Sequence, residues 1–232
     1  MGSPVPRPGS LFASDWLDQA SLRAISLIMT RSLATLALAV ISLGLALMAG
    51  QPSQAAPARE TAIFAGGCFW CVEHDMKAIP GVVSAVSGYT GGHLAKPTYE
   101  DVTSETSGHL EAVKVTFDPA KISYSALVGR FMRLIDPTDA GGQFCDRGQS
   151  YQSAIFVNGL SQRAAAQAVL AQLQTTPLKG KIVTPIRDAV TFWPAEGYHQ
   201  NYSSKNPLRY NLYRQGCGRD ARVKAVWRGI AP

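Results

Sequence analysis

The sequence predicts an α+β fold, with a single two-layer α/β sandwich domain that starts at about residue 60 and ends in a loop-rich C-terminal tail. Predicted strands and helices alternate irregularly along this region, and no segment repeats. Apolar residues make up 46% of the 232 residues, which is enough to bury one core. These observations indicate one globular domain of mixed secondary structure.

Short apolar runs between glycine, proline or polar residues predict the strands. In chain order they are TAIFA (61–65), GVVSAVSG (81–88), HLEAVKVTF (109–117), YQSAIFV (151–157) and KGKIVTPI (179–186). Caps and periodicity predict three helices, at 68–77, 123–134 and 158–176. After TFWPAEGYHQNY (191–202) little periodicity remains, which predicts the loop-like tail.

Two long polar loops connect these elements, GYTGGHLAKPTYE and DPTDAGGQFCDRGQS. Loops on a rigid scaffold commonly carry the functional residues of a domain. We therefore expect the functional site to lie at these two loops.

The first 55 residues have the composition of a leader segment. Residues 33–49 form an uncharged apolar run after Arg31, and Ser53 and Ala55 fit the −3 and −1 positions of a cleavage site. We therefore predict a signal peptide at 29–55, with a membrane anchor as the alternative. The protein is then periplasmic or otherwise exported, and its functional domain covers 56–232. Residues 1–28 form an unusually long segment ahead of a signal peptide, and we interpret them as a non-native extension.

The formal net charge is +6 at pH 7, and the basic residues are spread along the chain. A nucleic-acid surface would instead cluster basic residues and interleave them with aromatic ones. The charge therefore favours solubility, and no nucleic-acid partner is predicted.

Four cysteines, Cys68, Cys71, Cys145 and Cys217, are compatible with several kinds of site. A structural zinc site would need a second paired motif, and Cys145 and Cys217 stand alone, so no metal is predicted. Two structural disulfides are one alternative, and a thioredoxin-like dithiol at Cys68 and Cys71 is another. Under each alternative Cys68 is a candidate thiolate, because it follows two glycines at a predicted helix N-terminus.

Glu111 lies on the apolar face of a predicted strand. The two-residue period of HLEAVKVTF puts it on the same face as Val113, Val115 and Phe117. Burial on that face would raise the pKa of the carboxyl, so that it could donate a proton near neutral pH. The pattern is equally compatible with a Glu111 that lies at the strand end and reaches water.

Six motifs, in order, carry a resemblance that extends across most of residues 61–207: GCFWCVE, SGYTGG, PTYEDV, GHLEAVKVTFDP, DRGQSYQSAIF and YHQNYSSKNP. In these motifs the sequence resembles peptide methionine sulfoxide reductase A. The resemblance implies a ferredoxin-like core, a monomer, and thiol-dependent reduction of methionine-S-sulfoxide to methionine, free or in oxidised proteins. It also implies no bound cofactor and an external thioredoxin-like dithiol reductant.

The same resemblance implies site residues, position by position. Cys68 is the implied nucleophile, and Glu111 is the implied acid that protonates the sulfoxide oxygen. The other implied residues are two hydroxyl donors, a buried aspartate and an aromatic wall around the S-methyl group of the substrate: Tyr89 and Tyr151, Asp146, and Phe69 and Trp70.

The resolving thiol, which attacks the sulfenic acid of Cys68, is predicted to be Cys217, with Cys71 and Cys145 as alternatives. A Cys68–Cys71 bond would close a small ring at a helix start, whereas Cys217 lies in the tail that we expect to be flexible. An alternative function is an exported thiol-disulfide oxidoreductase that uses the Cys68 and Cys71 pair. A third is a binding module held together by two disulfides.

Overall fold

The computed structural model describes residues 58–231, so the predicted extension and the predicted leader both lie outside the described residues. Its strands are β1 (Glu60–Gly66), β2 (Val82–Thr90), β3 (Leu110–Phe117), β4 (Gly142–Gln143), β5 (Asp146–Arg147), β6 (Ser153–Val157), β7 (Ile186–Asp188) and β8 (Trp193–Pro194). Its helices are α1 (Phe69–Lys77), α2 (Tyr99–Thr103), α3 (Tyr124–Met132), α4 (Gly159–Leu173), α5 (Tyr202–Lys205), α6 (Pro207–Gly216) and α7 (Arg219–Val226).

A six-stranded sheet in the order β7-β6-β1-β3-β2-β8 forms one layer of the domain. Only β6 and β7 pair in parallel; all other neighbours in this sheet are antiparallel. The elements β1, α1, β2, β3, α3 and β6 follow the β-α-β-β-α-β order of ferredoxin-like folds. The predicted α+β sandwich is therefore confirmed.

Helices α1, α3 and α4 cover one face of this sheet and form the second layer. The main core joins Phe64 of β1 to Phe131 of α3, whose rings stack with centroids 4.5 Å apart. Met76 of α1 and Val113 of β3 belong to the same core. Alternating apolar residues along β3 supply the sheet side of this core, as the two-residue period predicts.

The C-terminal segment is helical, so the predicted loop-like tail is wrong after Tyr202. Helices α5 to α7 are short and mostly exposed, and each buries only one residue: Tyr202, Tyr210 and Arg219. Short helices of this kind are stabilised by packing rather than by intrinsic propensity, which explains why periodicity does not reveal them. Trp227 fixes the end of the chain, because its indole N–H donates to the Ile135 carbonyl at 3.1 Å.

The strand predicted at 179–186 is also wrong over most of its length, because β7 begins only at Ile186. Within residues 58–231, no helix combines the length and the apolar character that crossing a bilayer requires.

Candidate active site

The nucleophile candidate lies at a helix start shaped by glycine. Gly67 adopts φ +75°, and a Cβ atom there would lie 2.5 Å from the Cβ of Gln143. Cys68 follows as the N-cap of α1, and its carbonyl accepts the Cys71 N–H at 3.1 Å and the Val72 N–H at 3.2 Å. The helix start therefore fixes the backbone of Cys68, whose side chain is 5% exposed.

Cys68 borders a small cavity of about 60 Å³ between the sheet and α6, which has room for a methyl group or a small polar group. The lining brings together most of the residues implied by the sequence: Cys68, Phe69, Trp70, Tyr99, Glu111, Asp146, Tyr151 and Tyr213. Tyr89 is absent from this lining, whereas Tyr99 and Tyr213 are additional members.

Burial raises the pKa of the Cys68 thiol well above its usual value, and nearby Cys71 and Glu111 add to the rise. Tyr213 acts in the opposite direction and lowers the pKa of Cys68. Burial therefore favours the neutral thiol over the thiolate that the helix N-terminus predicts. Cys68 keeps its proton at rest and must lose it before it can react as a nucleophile.

Cys71 is the other free thiol, and it lies one turn along α1 from Cys68. Its interaction with the Cys68 thiol lowers the pKa of Cys71, against the effect of burial, and the positive charges of Arg219 and Arg214 lower it further. The two arginine charges therefore favour the thiolate form of Cys71.

Glu111 is buried, as the strand register predicts, with 2% of its surface exposed. Its carboxyl Oε2 accepts the backbone N–H of Phe69 at 2.8 Å, which joins β3 to the first turn of α1. Burial raises the pKa of Glu111 to about 8, although the Phe69 N–H acts to lower it. The carboxyl is therefore largely protonated at neutral pH and can act as a proton donor inside the cavity.

Phe69 and Trp70, which the resemblance implies as the aromatic wall, both line the cavity. Phe69 is buried and lies 4.9 Å, centroid to centroid, from the ring of His199. Trp70 stacks on Tyr202 at 3.7 Å, and its indole N–H donates to Nδ1 of His199 at 3.0 Å. The interaction with His199 and the stack on Tyr202 hold Trp70 in one orientation.

The structure places only one of the two predicted hydroxyl donors in the cavity lining. Tyr151 lines the cavity, but Tyr89 is fully buried and donates to Glu196 at 2.8 Å. Glu196 also accepts the backbone N–H of Tyr99 at 2.9 Å, so Tyr89 supports Tyr99 instead of facing the substrate. Placing Tyr89 as a donor at the cavity is therefore wrong, and Tyr99 takes that position.

Tyr99 could have been found in the sequence, because it belongs to the motif PTYEDV that carries part of the resemblance. Burial raises the pKa of both Tyr99 and Tyr151. Both hydroxyls therefore stay protonated and remain hydrogen-bond donors at neutral pH.

Asp146 lies in β5 at the edge of the cavity, where Tyr213 of α6 donates its hydroxyl to Oδ2 at 2.5 Å. Burial raises the pKa of Asp146, while Tyr213 and the charge of Arg219 act to lower it. The sequence gives no signal for Tyr213, because this residue lies in the segment that the sequence predicts to be a loop.

Cys145 and Cys217 form a disulfide, with a Cα–Cα distance of 4.9 Å. A structural disulfide is one of the alternatives that the sequence leaves open for the four cysteines. Cys217 lies at the C-cap of α6, so the flexible tail on which its predicted role depended is not present. The Asp146 carboxylate lies close to both sulfurs, but the bond between them leaves no pair of thiolates for a metal.

The comparisons with known proteins converge on one family. A family model described as "Peptide methionine sulfoxide reductase" matches residues 60–230, which is nearly the whole described domain. The chain belongs to this family. Reduction of methionine sulfoxide is therefore its activity, and the thiol-disulfide oxidoreductase alternative is not favoured.

Individual relatives within the family are similar over most of their length. The chain is 58% identical over 178 residues to peptide methionine sulfoxide reductase MsrA 2 of Caulobacter vibrioides, covering 77% of this chain and 90% of the relative. It is 49% identical over 170 residues to peptide methionine sulfoxide reductase MsrA of Bacillus subtilis, covering 73% of this chain and 96% of the relative.

Solved structures from the family share the fold. Methionine sulfoxide reductase A of Corynebacterium diphtheriae superimposes with a TM-score of 0.61 and 32% identity, covering 66% of this chain and 78% of that one. Mxr1 from Saccharomyces cerevisiae in its reduced form gives a TM-score of 0.61 and 30% identity, with 65% and 87% covered.

Proposed function

We propose that the cavity beside Cys68 reduces methionine-S-sulfoxide to methionine, with Cys68 as the nucleophile and Glu111 as the proton donor. The observation that carries this proposal is the meeting of a thiol, a carboxyl of raised pKa and two tyrosine hydroxyls in one small cavity. A sulfoxide sulfur accepts a thiolate only when its oxygen is protonated or hydrogen-bonded, and this set supplies both.

The S-methyl group of the substrate has no polar atom that a protein could bind. Phe69 and Trp70 offer it an apolar surface, while Tyr99 and Tyr151 in the same cavity offer donors to the sulfoxide oxygen. This division between apolar and polar contacts orients the sulfur towards Cys68 and selects one of the two sulfoxide epimers.

The first chemical step transfers the oxygen atom to Cys68. The thiolate attacks the sulfur while Glu111 gives its proton to the oxygen. The hydroxyl then moves to the Cys68 sulfur, the S–O bond and the new S–S bond break, and methionine leaves Cys68 as a sulfenic acid. A second thiol then attacks the sulfenic sulfur, which releases water and leaves a disulfide. An external dithiol reduces that disulfide and restores both thiols.

Cys71 is the resolving thiol in this scheme, in place of Cys217. It is free, it lies one helical turn from Cys68, and its pKa is lowered, whereas Cys217 is already bonded to Cys145. The small ring that argued against Cys71 is acceptable, because Cys-X-X-Cys pairs at helix starts are established redox couples.

Single-cysteine variants test these roles. Cys68→Ser should abolish methionine formation, since Cys68 is the thiol that lines the cavity together with Glu111. Cys71→Ser should still form one methionine per protein molecule but should fail to recycle with a thioredoxin-like reductant. The Cys217→Ser variant should recycle at the wild-type rate. If Cys217→Ser failed to recycle and Cys71→Ser recycled normally, Cys217 would be the resolving thiol.

We also propose the reductant, the substrates, the location and the oligomeric state of the enzyme. A thioredoxin-like protein is the physiological reductant, oxidised proteins and peptides are the substrates, and the enzyme works as an exported monomer. The leader-like composition of residues 29–55 supports export, and the resemblance to the family supports a monomer. N-terminal sequencing of the native protein tests export: a start near Ala56 supports cleavage, and an intact apolar segment in membranes would favour an anchor.

A further inference from the structure

Two groups beside Cys68 have no part in the scheme above. Tyr213 of α6 and Asp146 of β5 line the same cavity as Cys68, and the tyrosine hydroxyl donates to Oδ2 of Asp146 at 2.5 Å. The ring of Tyr213 also packs edge-on against Trp70, with centroids 5.9 Å apart. Both contacts fix the hydroxyl between the carboxylate and the cavity.

The buried Cys68 thiol has to give up a proton before it attacks. The ionisable groups that act on it are Cys71, Glu111 and Tyr213. Glu111 is protonated and is needed as the acid at the sulfoxide oxygen, so it cannot also accept this proton. Cys71 also interacts with the Cys68 thiol, but its own thiol is needed for the attack on the sulfenic acid in the second step.

Asp146 is the remaining carboxylate at the cavity, and burial gives it a raised pKa that suits a proton acceptor. It is reached through the Tyr213 hydroxyl, which can accept one proton while it donates another. Arg219 is the charged group that opposes protonation of Asp146.

We propose that Tyr213 is a further catalytic residue, which passes the thiol proton of Cys68 to Asp146 when the thiolate forms. This inference rests on the proposed role of Cys68 as the nucleophile. The S–H bond of Cys68 breaks, the Tyr213 oxygen takes that proton, and the original hydroxyl proton moves to Oδ2 of Asp146. No group is oxidised or reduced in this step, and the products are a thiolate, a neutral tyrosine and a neutral carboxyl.

The Cys145–Cys217 disulfide supports the same pair. Cys145 directly precedes Asp146, and Cys217 lies one helical turn after Tyr213 and donates its backbone N–H to the Tyr213 carbonyl at 2.9 Å. The bridge therefore ties together the two segments that carry the donor and the acceptor. Covalent attachment on both sides limits how far the hydroxyl can move from the carboxylate.

The test compares Tyr213→Phe with Tyr210→Phe. Tyr210 lies on the same helix, and its hydroxyl accepts from Arg214 at 2.9 Å instead of facing Asp146. The rate of Cys68 alkylation by iodoacetamide is measured against pH without sulfoxide, in a Cys71→Ser background. Near-ultraviolet circular dichroism confirms that each variant is folded.

Tyr213→Phe should slow alkylation near neutral pH by about tenfold or more, and the difference should vanish at high pH, where hydroxide removes the thiol proton. Tyr210→Phe should match the parent. An unchanged rate and pH profile for Tyr213→Phe would overturn the proposal. Because alkylation requires no sulfoxide, this outcome is independent of whether the protein turns over the proposed substrate.

Asp146→Asn supplies a second measurement, because asparagine keeps an oxygen for Tyr213 but cannot accept the proton. It should shift the alkylation profile in the same direction as Tyr213→Phe, and the double variant should lose little more than either single one. Losses that add in the double variant would show that the two residues act independently, which would contradict a relay.

Discussion

At the scale of the single residue, the balance of burial and hydrogen bonding at Glu111 decides the chemistry. The carboxyl has one partner, the Phe69 N–H, and is otherwise surrounded by the cavity and the core. Desolvation outweighs that single donor, so the neutral form persists to about pH 8. A carboxyl in this state can protonate a sulfoxide oxygen, which an ionised one could not.

Glu111→Gln tests this role, because glutamine keeps the size and can still accept the Phe69 N–H. We expect the single-turnover rate of methionine formation to fall by roughly 10²- to 10⁴-fold, the usual contribution of a positioned acid. Stopped-flow measurement with excess substrate checks it. A rate within about twofold of wild type would place the acid elsewhere.

The same carboxyl should make folding stability depend on pH. Its pKa is about 8 in the folded protein, compared with about 4.3 in an unfolded chain. Between these values the native state holds a proton that the unfolded state has released, so this contribution to stability falls as pH rises.

Urea unfolding of wild type and Glu111→Gln, at about pH 5 and about pH 9, measures this effect. The variant should gain stability relative to wild type at the higher pH, because glutamine does not titrate. An equal difference between the two proteins at both values would show that the folded pKa of Glu111 is not raised.

At the scale of the element, the start of α1 is the part of the fold that the site depends on most. Gly67 allows the turn between β1 and α1 with φ +75° and leaves space for Gln143. The turn delivers Cys68 to the helix N-cap and the Phe69 N–H to Glu111. Both reacting groups are therefore positioned by one short segment.

Gly67→Ala should destabilise the protein by about 2 kcal/mol or more, because alanine is strained at positive φ and its Cβ would overlap Gln143. Thermal unfolding and turnover should both report the loss. Gly129→Ala in α3 is the control, since nothing lies within 4 Å of its Cβ, and it should be neutral or stabilising by up to about 1 kcal/mol. Equal behaviour of the two variants would contradict this account of the turn.

Removing the disulfide tests the link between α6 and β5. The bridge spans 72 residues of sequence, and a disulfide typically stabilises a protein by about 2–4 kcal/mol. The free energy of unfolding of Cys145→Ser, measured in urea, should be lower than that of wild type by this amount. Wild type in strong reductant should show the same loss. Stability unchanged in both cases would show that the two segments are held by packing alone.

Sequence patterns predict strands β1, β2, β3 and β6 and helices α1, α3 and α4, but not the short strands or the C-terminal helices. The apolar period of β3 identifies the buried face that includes Glu111, because the alternation is local and strong. Helices α6 and α7 bury only Tyr210 and Arg219, so they leave almost no periodic signal. Tyr213 was missed for this reason, and Cys217 was assigned to a flexible tail.

Tyr89 was misplaced for a different reason. Tyr89 and Tyr99 lie in neighbouring motifs, and nothing in the local pattern shows which hydroxyl reaches the cavity. The answer depends on Glu196, which is about a hundred residues away in sequence and binds the Tyr89 hydroxyl. Contacts of this kind become visible only when the fold is known.

At the scale of the whole molecule, the acid lies on β3 of the six-stranded sheet, the nucleophile candidate at the start of α1, and the aspartate on β5, which pairs with β4 in a separate two-stranded sheet. The C-terminal helices close the cavity from the outside with Tyr213. One domain therefore supplies the nucleophile, the acid, the aromatic wall and the resolving thiol, and only the reductant has to come from another protein.

The most direct test of this account is a single turnover without reductant. Fully reduced cavity thiols are mixed with an excess of one epimer of a methionine sulfoxide peptide, and methionine formation and the new disulfide are measured by mass spectrometry. We expect one methionine per protein molecule from the S epimer, none from the R epimer, and a new bond between Cys68 and Cys71. Methionine formation with Cys68 still a free thiol, or equal reduction of both epimers, would contradict it.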